Sequence, residues 1–88
     1  MLKIYLTNKF KKDLKKAENS NRDLSVLKEI YNDLVKEKPL DPKYKDHLLK
    51  GNYVNHRECH IQPDWLLIYK IEKNTLILVR AGTHSELY

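Results

Sequence analysis

Three apolar, β-rich runs occupy residues 53 to 60, 65 to 72 and 75 to 81, separated only by two short polar turns. The first, Ile61-Gln62-Pro63-Asp64, offers proline and aspartate as turn formers. The second, Glu72-Lys73-Asn74-Thr75, offers an asparagine that tolerates positive φ. Connections this short join antiparallel neighbours, because a parallel pair needs a crossover of a dozen or more residues. The C-terminal half is therefore expected to be an antiparallel meander.

The N-terminal half has a different period. Residues 1 to 6 (MLKIYL) alternate and predict a short first strand, ending before Thr7 and Asn8, both good helix caps. From Asn8 to about Glu18, Phe10, Leu14 and Ala17 form a narrow apolar stripe, with Lys9, Lys11, Lys12, Lys15 and Lys16 largely off it. That is a basic amphipathic helix. After the polar break Asn19-Ser20-Asn21-Arg22, Asp23 can cap a second helix carrying Leu27, Ile30, Tyr31, Leu34 and Val35. Pro39 and Pro42 stop it, and residues 38 to 52 form a long connection. The expected order is β-α-α-β-β-β: one α+β domain over residues 1–88, two layers deep, with both helices on one face of the sheet.

The formal charge of +5 lies wholly in the first half: residues 1 to 50 hold 13 Lys/Arg against 8 Asp/Glu, and residues 51 to 88 hold 4 against 4. A basic surface favours a polyanionic partner, since neutralised phosphates release counterions. The single cysteine, Cys59, excludes an internal disulfide framework. With no apolar leader and no 18-residue apolar stretch, the expectation is a cytoplasmic protein without a membrane partner.

Meander connectivity gathers chemistry at one edge. It places His60 at the end of the second strand, Asp64 and Trp65 at the start of the third, and Arg80, Gly82 and His84 at or beyond the end of the fourth. Six residues of chain before the second strand span at most ~20 Å, so His47 can reach this rim without being required to. Tyr88 lies one turn from His84 if the tail is helical, and Glu58 shares strand parity with His60 as a spare candidate base. Such a set suits RNA scission by the internal 2′-OH: a base takes its proton, a cation steadies the phosphorane, and an acid protonates the leaving 5′ oxygen. Histidine serves either proton role near neutral pH. Asp64 can orient an imidazole, Arg80 can grip phosphate, and Trp65 and Tyr88 can stack on a base.

Each residue also has a plainer reading. Trp65 sits in a strand that is apolar on both faces and reads as half-core. The helix lysines can be a solvated face, and Arg80 can pair with a carboxylate at the sheet edge. His56, read as mid-strand, is set aside. A zinc site from His56, Cys59 and His60 is rejected, because neighbours in a strand point to opposite faces. No metal or cofactor is expected.

Three blocks complete the reading: Tyr44-Lys45-Asp46-His47-Leu48-Leu49-Lys50-Gly51, the run from Arg57 to Tyr69, and Arg80-Ala81-Gly82-Thr83-His84-Ser85-Glu86-Leu87-Tyr88. Over essentially its full length the chain resembles the YafQ-like branch of the RelE/ParE superfamily of bacterial type II toxins. The resemblance implies a RelE-like fold and an mRNA interferase, often acting on translating ribosomes, restrained by a cognate antitoxin. It implies a catalytic set of His47, His60, Asp64 and His84, with His84 as general acid. Trp65 and Tyr88 would support it, Tyr88 standing where phenylalanine is expected. It further implies an antitoxin that wraps an acidic or amphipathic segment around the basic helices, the complex binding promoter DNA mainly through the antitoxin. Two other readings use the same fold: a ParE-like inhibitor that cuts no RNA, and a plain RNA-binding module. The number of histidines at one rim speaks for catalysis.

Overall fold

Thr7 ends the first strand and begins the first helix. Its Oγ1 accepts the Phe10 N–H at 3.0 Å and donates to the Val79 carbonyl at 2.7 Å, so one hydroxyl caps the helix and ties it to the sheet. In the computed structural model, which describes residues 1–88, β1 is Lys3–Leu6, α1 is Asn8–Asn19 and α2 is Ser25–Val35. The Asp23 carboxylate accepts the Ser25 N–H at 2.9 Å, close to its expected capping role. The connection after α2 carries two single turns of 3₁₀ helix, Pro42–Tyr44 and Gly51–Tyr53, with the two-residue strand β2, His47–Leu48, between them. β3 (Arg57–Gln62), β4 (Trp65–Glu72) and β5 (Thr75–Gly82) follow, and a short helix α3, His84–Leu87, ends the fold.

The meander β3-β4-β5 is present, with its second turn at Lys73 and Asn74, both at positive φ (51° and 59°) as a tight primed turn requires. Two strands enlarge it to the order β1-β5-β4-β3-β2. β1 lies parallel to β5, Lys3 opposite Thr75, and β2 lies antiparallel to β3, His47 opposite Glu58. The sheet is thus mixed and five-stranded, with the expected antiparallel meander at its centre. The strand expected from residue 53 begins only at Arg57. Gly51 and Asn55 adopt φ of 70° and 68°, so the chain turns where apolar residues suggested extension.

Strand alternation sorts the side chains. Trp65, Leu67 and Tyr69 of β4 join Phe10, Leu27, Ile30 and Leu34 in the main core beneath α1 and α2. Each fully buried apolar side chain of this kind contributes ~1.5 to 3 kcal/mol. Leu66 and Ile68 face the other way and pack with Leu87, Leu49, Tyr53 and Val79. On the helix side an apolar groove of about 560 Å³ runs between β1, α1 and α2, with Ile4, Leu6, Leu14 and Tyr31 among its walls. No helix is long and apolar enough to cross a membrane.

Candidate active site

The sheet face opposite α1 and α2 carries the polar cluster, on the apolar floor of Leu66, Ile68 and Leu87. Pairing places Glu58 beside Ile68 and His60 beside Leu66, so both side chains stand on that floor. His47 arrives across β2, directly opposite Glu58. What delivers it is Asp46, whose carboxylate accepts the Tyr69 hydroxyl at 2.6 Å and the Arg57 Nε–H at 3.3 Å. These bonds hold the connection against the sheet edge. Burial and the neighbouring Asp46 push the Tyr69 hydroxyl pKa well above its usual value, so it stays a donor.

The chain after β5 turns back over the same face. Thr83 Oγ1 accepts the Glu86 N–H at 3.3 Å, and the Thr83 N–H donates to Glu86 Oε1 at 2.8 Å, a reciprocal capping box. A side chain at Gly82 would meet Glu86 Oε1 and Leu87 Cδ2 at 3.2 Å each, so glycine permits the close return. Leu87 is then buried in the floor, and His84 and Tyr88 stand over it.

Three imidazoles form a row: the His60 ring is 6.3 Å from His47 and 6.0 Å from His84. Asp64 braces His84 through one oxygen, which accepts the backbone N–H at 3.2 Å and lies 3.1 Å from Nδ1. A carboxylate only accepts, so Nδ1 carries hydrogen and Nε2 faces outward. The His84 backbone N–H, then its side chain, hold the Asp64 carboxyl below its ordinary pKa. At the other end His47 Nδ1 lies 2.6 Å from the Lys45 carbonyl, and its Nε2 lies 3.4 Å from Glu58 Oε1. The same oxygen is 3.9 Å from His60 Nε2. Glu58 is the one buried charged side chain, at 4% exposure, and its Oε2 accepts the Tyr88 hydroxyl at 2.5 Å.

The structure thus brings together His47, Glu58, His60, Asp64, His84 and Tyr88. They extend from the rim inward along the sheet face, further than connectivity indicated. Two of the candidate residues are engaged elsewhere. Trp65 is 2% exposed and lies in the core on the helix side, with the Arg22 guanidinium 4.9 Å above its ring, so it offers no face to a nucleotide base. Arg80 is engaged by Asp13 through Nε at 2.7 Å and Nη2 at 3.2 Å. That pairing, foremost, raises its pKa. Since Asp13 also accepts the Ala81 N–H at 3.0 Å, Arg80 clamps α1 to the sheet edge and presents no free fork to phosphate.

Tyr88, at 62% exposure, keeps an open ring surface. His56 lies in the turn before β3, not within a strand; it contacts Tyr53 edge-on at 5.9 Å and touches none of the other three histidines. Tyr53 went unassigned in the sequence, yet its ring packs edge-on against Tyr88 at 5.7 Å. Asp46 was likewise unassigned, its only signal being an acid next to His47. Burial pushes the Cys59 thiol up to about 12, and no three His, Cys, Asp or Glu side chains are placed to hold a metal ion together.

Comparison with known proteins gives this arrangement a context. A family described as "Bacterial toxin of type II toxin-antitoxin system, YafQ" matches residues 2–88. The chain belongs to the YafQ toxin family. It is similar to the mRNA interferase toxin YafQ of Escherichia coli K12, 37% identical over 86 residues, covering 97% of this chain and 94% of that one. Among solved structures, a metal-bound toxin from Helicobacter pylori superposes with a TM-score of 0.94 at 52% identity over the whole of both chains. The toxin in the E. coli DinJ-YafQ complex gives 0.92 at 36% identity, covering 100% of this chain and 99% of that one. The three-helix, five-strand α+β fold is therefore a YafQ fold, consistent with a RelE-like domain.

Proposed function

We propose that this YafQ-family chain is an mRNA interferase, an endoribonuclease that cuts by acid–base catalysis without a metal ion. The observation that carries the reading is the row of three imidazoles about 6 Å apart, with Asp64 bracing one end and Glu58 the other. In this reading the His47-Glu58-His60 trio takes the proton from the 2′-OH, whose oxygen attacks the adjacent phosphorus. His84, its Nδ1–H held by Asp64, delivers a proton from Nε2 to the departing 5′ oxygen. The products are a 2′,3′-cyclic phosphate and a 5′-hydroxyl, and no water is consumed. Each proton transfer is worth about 10²- to 10⁴-fold. The exposed Tyr88 ring offers a stacking surface for a base beside the scissile bond.

A Helicobacter relative is described as metal-bound; the reading proposed here routes no step through a metal. The reading includes mRNA as substrate on translating ribosomes, a cognate antitoxin as restraint, and promoter DNA contacted only through the antitoxin complex. DinJ-YafQ provides the precedent for the antitoxin. An amphipathic acidic segment would suit the apolar groove beside the lysines of α1.

The test is to incubate purified protein with RNA in EDTA and analyse the ends. Cyclic phosphate and 5′-hydroxyl termini are expected. Loss of cleavage with chelator overturns the metal-free mechanism, and growth arrest that survives His84→Ala favours inhibition without cutting.

A further inference from the structure

The Glu58 carboxylate is buried on an apolar floor and has two different clients. Oε1 faces His47 Nε2 at 3.4 Å and His60 Nε2 at 3.9 Å, whereas Oε2 receives the Tyr88 hydroxyl. No other group in the structure donates a hydrogen bond to Oε2, and the hydroxyl comes from 30 positions along the chain. We infer that Tyr88, through its hydroxyl and apart from its ring, is the positioning residue that fixes the orientation of Glu58 and so aims Oε1 at the His47-His60 pair. The inference rests on reading this face as a ribonuclease site.

The physical basis is the freedom of a carboxylate. The terminal torsion of glutamate is broad and roughly two-fold, so a buried Glu58 with one oxygen unclaimed would rotate to share itself among its neighbours. Tyr88 removes that freedom by claiming one oxygen. The hydroxyl is itself located by Tyr53, packed edge-on against the Tyr88 ring, and by Leu87, buried in the floor one residue earlier. The capping box of α3 sets the approach of that segment. The fold of residues 82 to 88 therefore reaches the proton-accepting end of the site as well as the His84 end.

A hydrogen bond to a carboxylate fixes the oxygen that accepts it, and Tyr88→Phe removes the one donor that holds Oε2. The charged and titratable groups that face Glu58 are His47 on β2, His60 on its own strand and Tyr88 from the tail, with His84 beyond His60 and Tyr53 beyond Tyr88. Tyr88→Phe leaves all of them except the hydroxyl, and it preserves the ring surface available for stacking.

The experiment compares wild type, Tyr88→Phe, Glu58→Gln and the double variant. One readout is the pH profile of cleavage of a short RNA; the other, independent of activity, is a ¹³C NMR titration of the Glu58 carboxyl. For Tyr88→Phe we expect kcat to fall roughly tenfold, the loss of one hydrogen bond to a charged group, with KM unchanged. The pH profile of kcat/KM and the Glu58 carboxyl signal should both differ from those of wild type. Glu58→Gln should abolish the difference between Tyr and Phe at position 88. Unchanged Glu58 titration in Tyr88→Phe, or losses that multiply in the double variant, overturns the inference. If wild type cuts no RNA, the proposed function fails, and the titration still decides whether the hydroxyl controls Glu58.

Discussion

His84 and Asp64 are joined twice through a single oxygen: Asp64 Oδ1 takes the backbone N–H of His84 at 3.2 Å and lies 3.1 Å from its Nδ1. The first contact anchors the start of α3, and the second fixes the tautomer of the imidazole. Asp64→Asn preserves an acceptor for both and removes only the charge, so kcat should fall about tenfold with the fold intact. Asp64→Ala removes the acceptor as well and should cost about 10²-fold. Single-turnover cleavage of a short RNA measures both; equal rates for wild type and Asp64→Ala would show that His84 needs no brace.

The four histidines divide by contact. His84→Ala, His60→Ala and His47→Ala should each reduce cleavage, with His84 losing about 10²- to 10⁴-fold if it is the acid. His56→Ala should stay within about twofold, because its ring meets only Tyr53 and its Nδ1 only the Val54 carbonyl. A large loss at His56 would place the reaction nearer to Tyr53 than proposed.

How far the sequence reveals this site depends on which contacts are local. The helices, the hairpins and the meeting of His60, Asp64 and His84 follow from hydrophobic period and turn length, which need only neighbouring residues. His47 was bounded only by loop length and needed the family resemblance, because its place is set by two residue pairs of β2 and by the remote Asp46-Tyr69 bond. Trp65 was ambiguous for a physical reason. β4 is buried on both faces, so alternation no longer marks which side is solvent. Arg80 reads equally as a phosphate ligand or as the partner of a carboxylate, because that partner, Asp13, lies 67 positions away on α1. The parallel pairing of β1 with β5 is equally non-local.

Asp46 supplies a test of that remote positioning. Asp46→Ala strands the Tyr69 hydroxyl beneath the sheet edge without its acceptor, a cost of ~1 to 3 kcal/mol. For a domain of this size each kcal/mol corresponds to about 4 to 8 °C in Tm. Tyr69→Phe removes the hydroxyl itself and should cost less. Thermal unfolding followed by circular dichroism ranks the two, and Asp46→Ala should also lose cleavage through displacement of His47. Equal stability of Asp46→Ala and wild type would mean that the connection is held by other contacts.

Acid should loosen the tail before it unfolds the core. Glu86 is held well below the usual carboxylate range, first by Lys16 and then by the Thr83 N–H. A carboxyl whose folded pKa is depressed contributes stability that is complete above its unfolded value, near 4.5. That contribution fades as pH falls below this value and is gone once the folded group is protonated. Because the Lys16 contact is largely exposed, salt weakens it, and the Thr83 capping bond is the more durable part. Hydrogen exchange at the Leu87 and Tyr88 amides, which donate to the Thr83 and His84 carbonyls, reports the docking of α3 directly. In wild type these amides should lose protection between about pH 4.5 and pH 2 while those of β4 keep theirs. In Glu86→Gln they should be less protected already at pH 6 and respond little to acid. Simultaneous loss of protection in α3 and β4 would show that the tail and the sheet open as one unit.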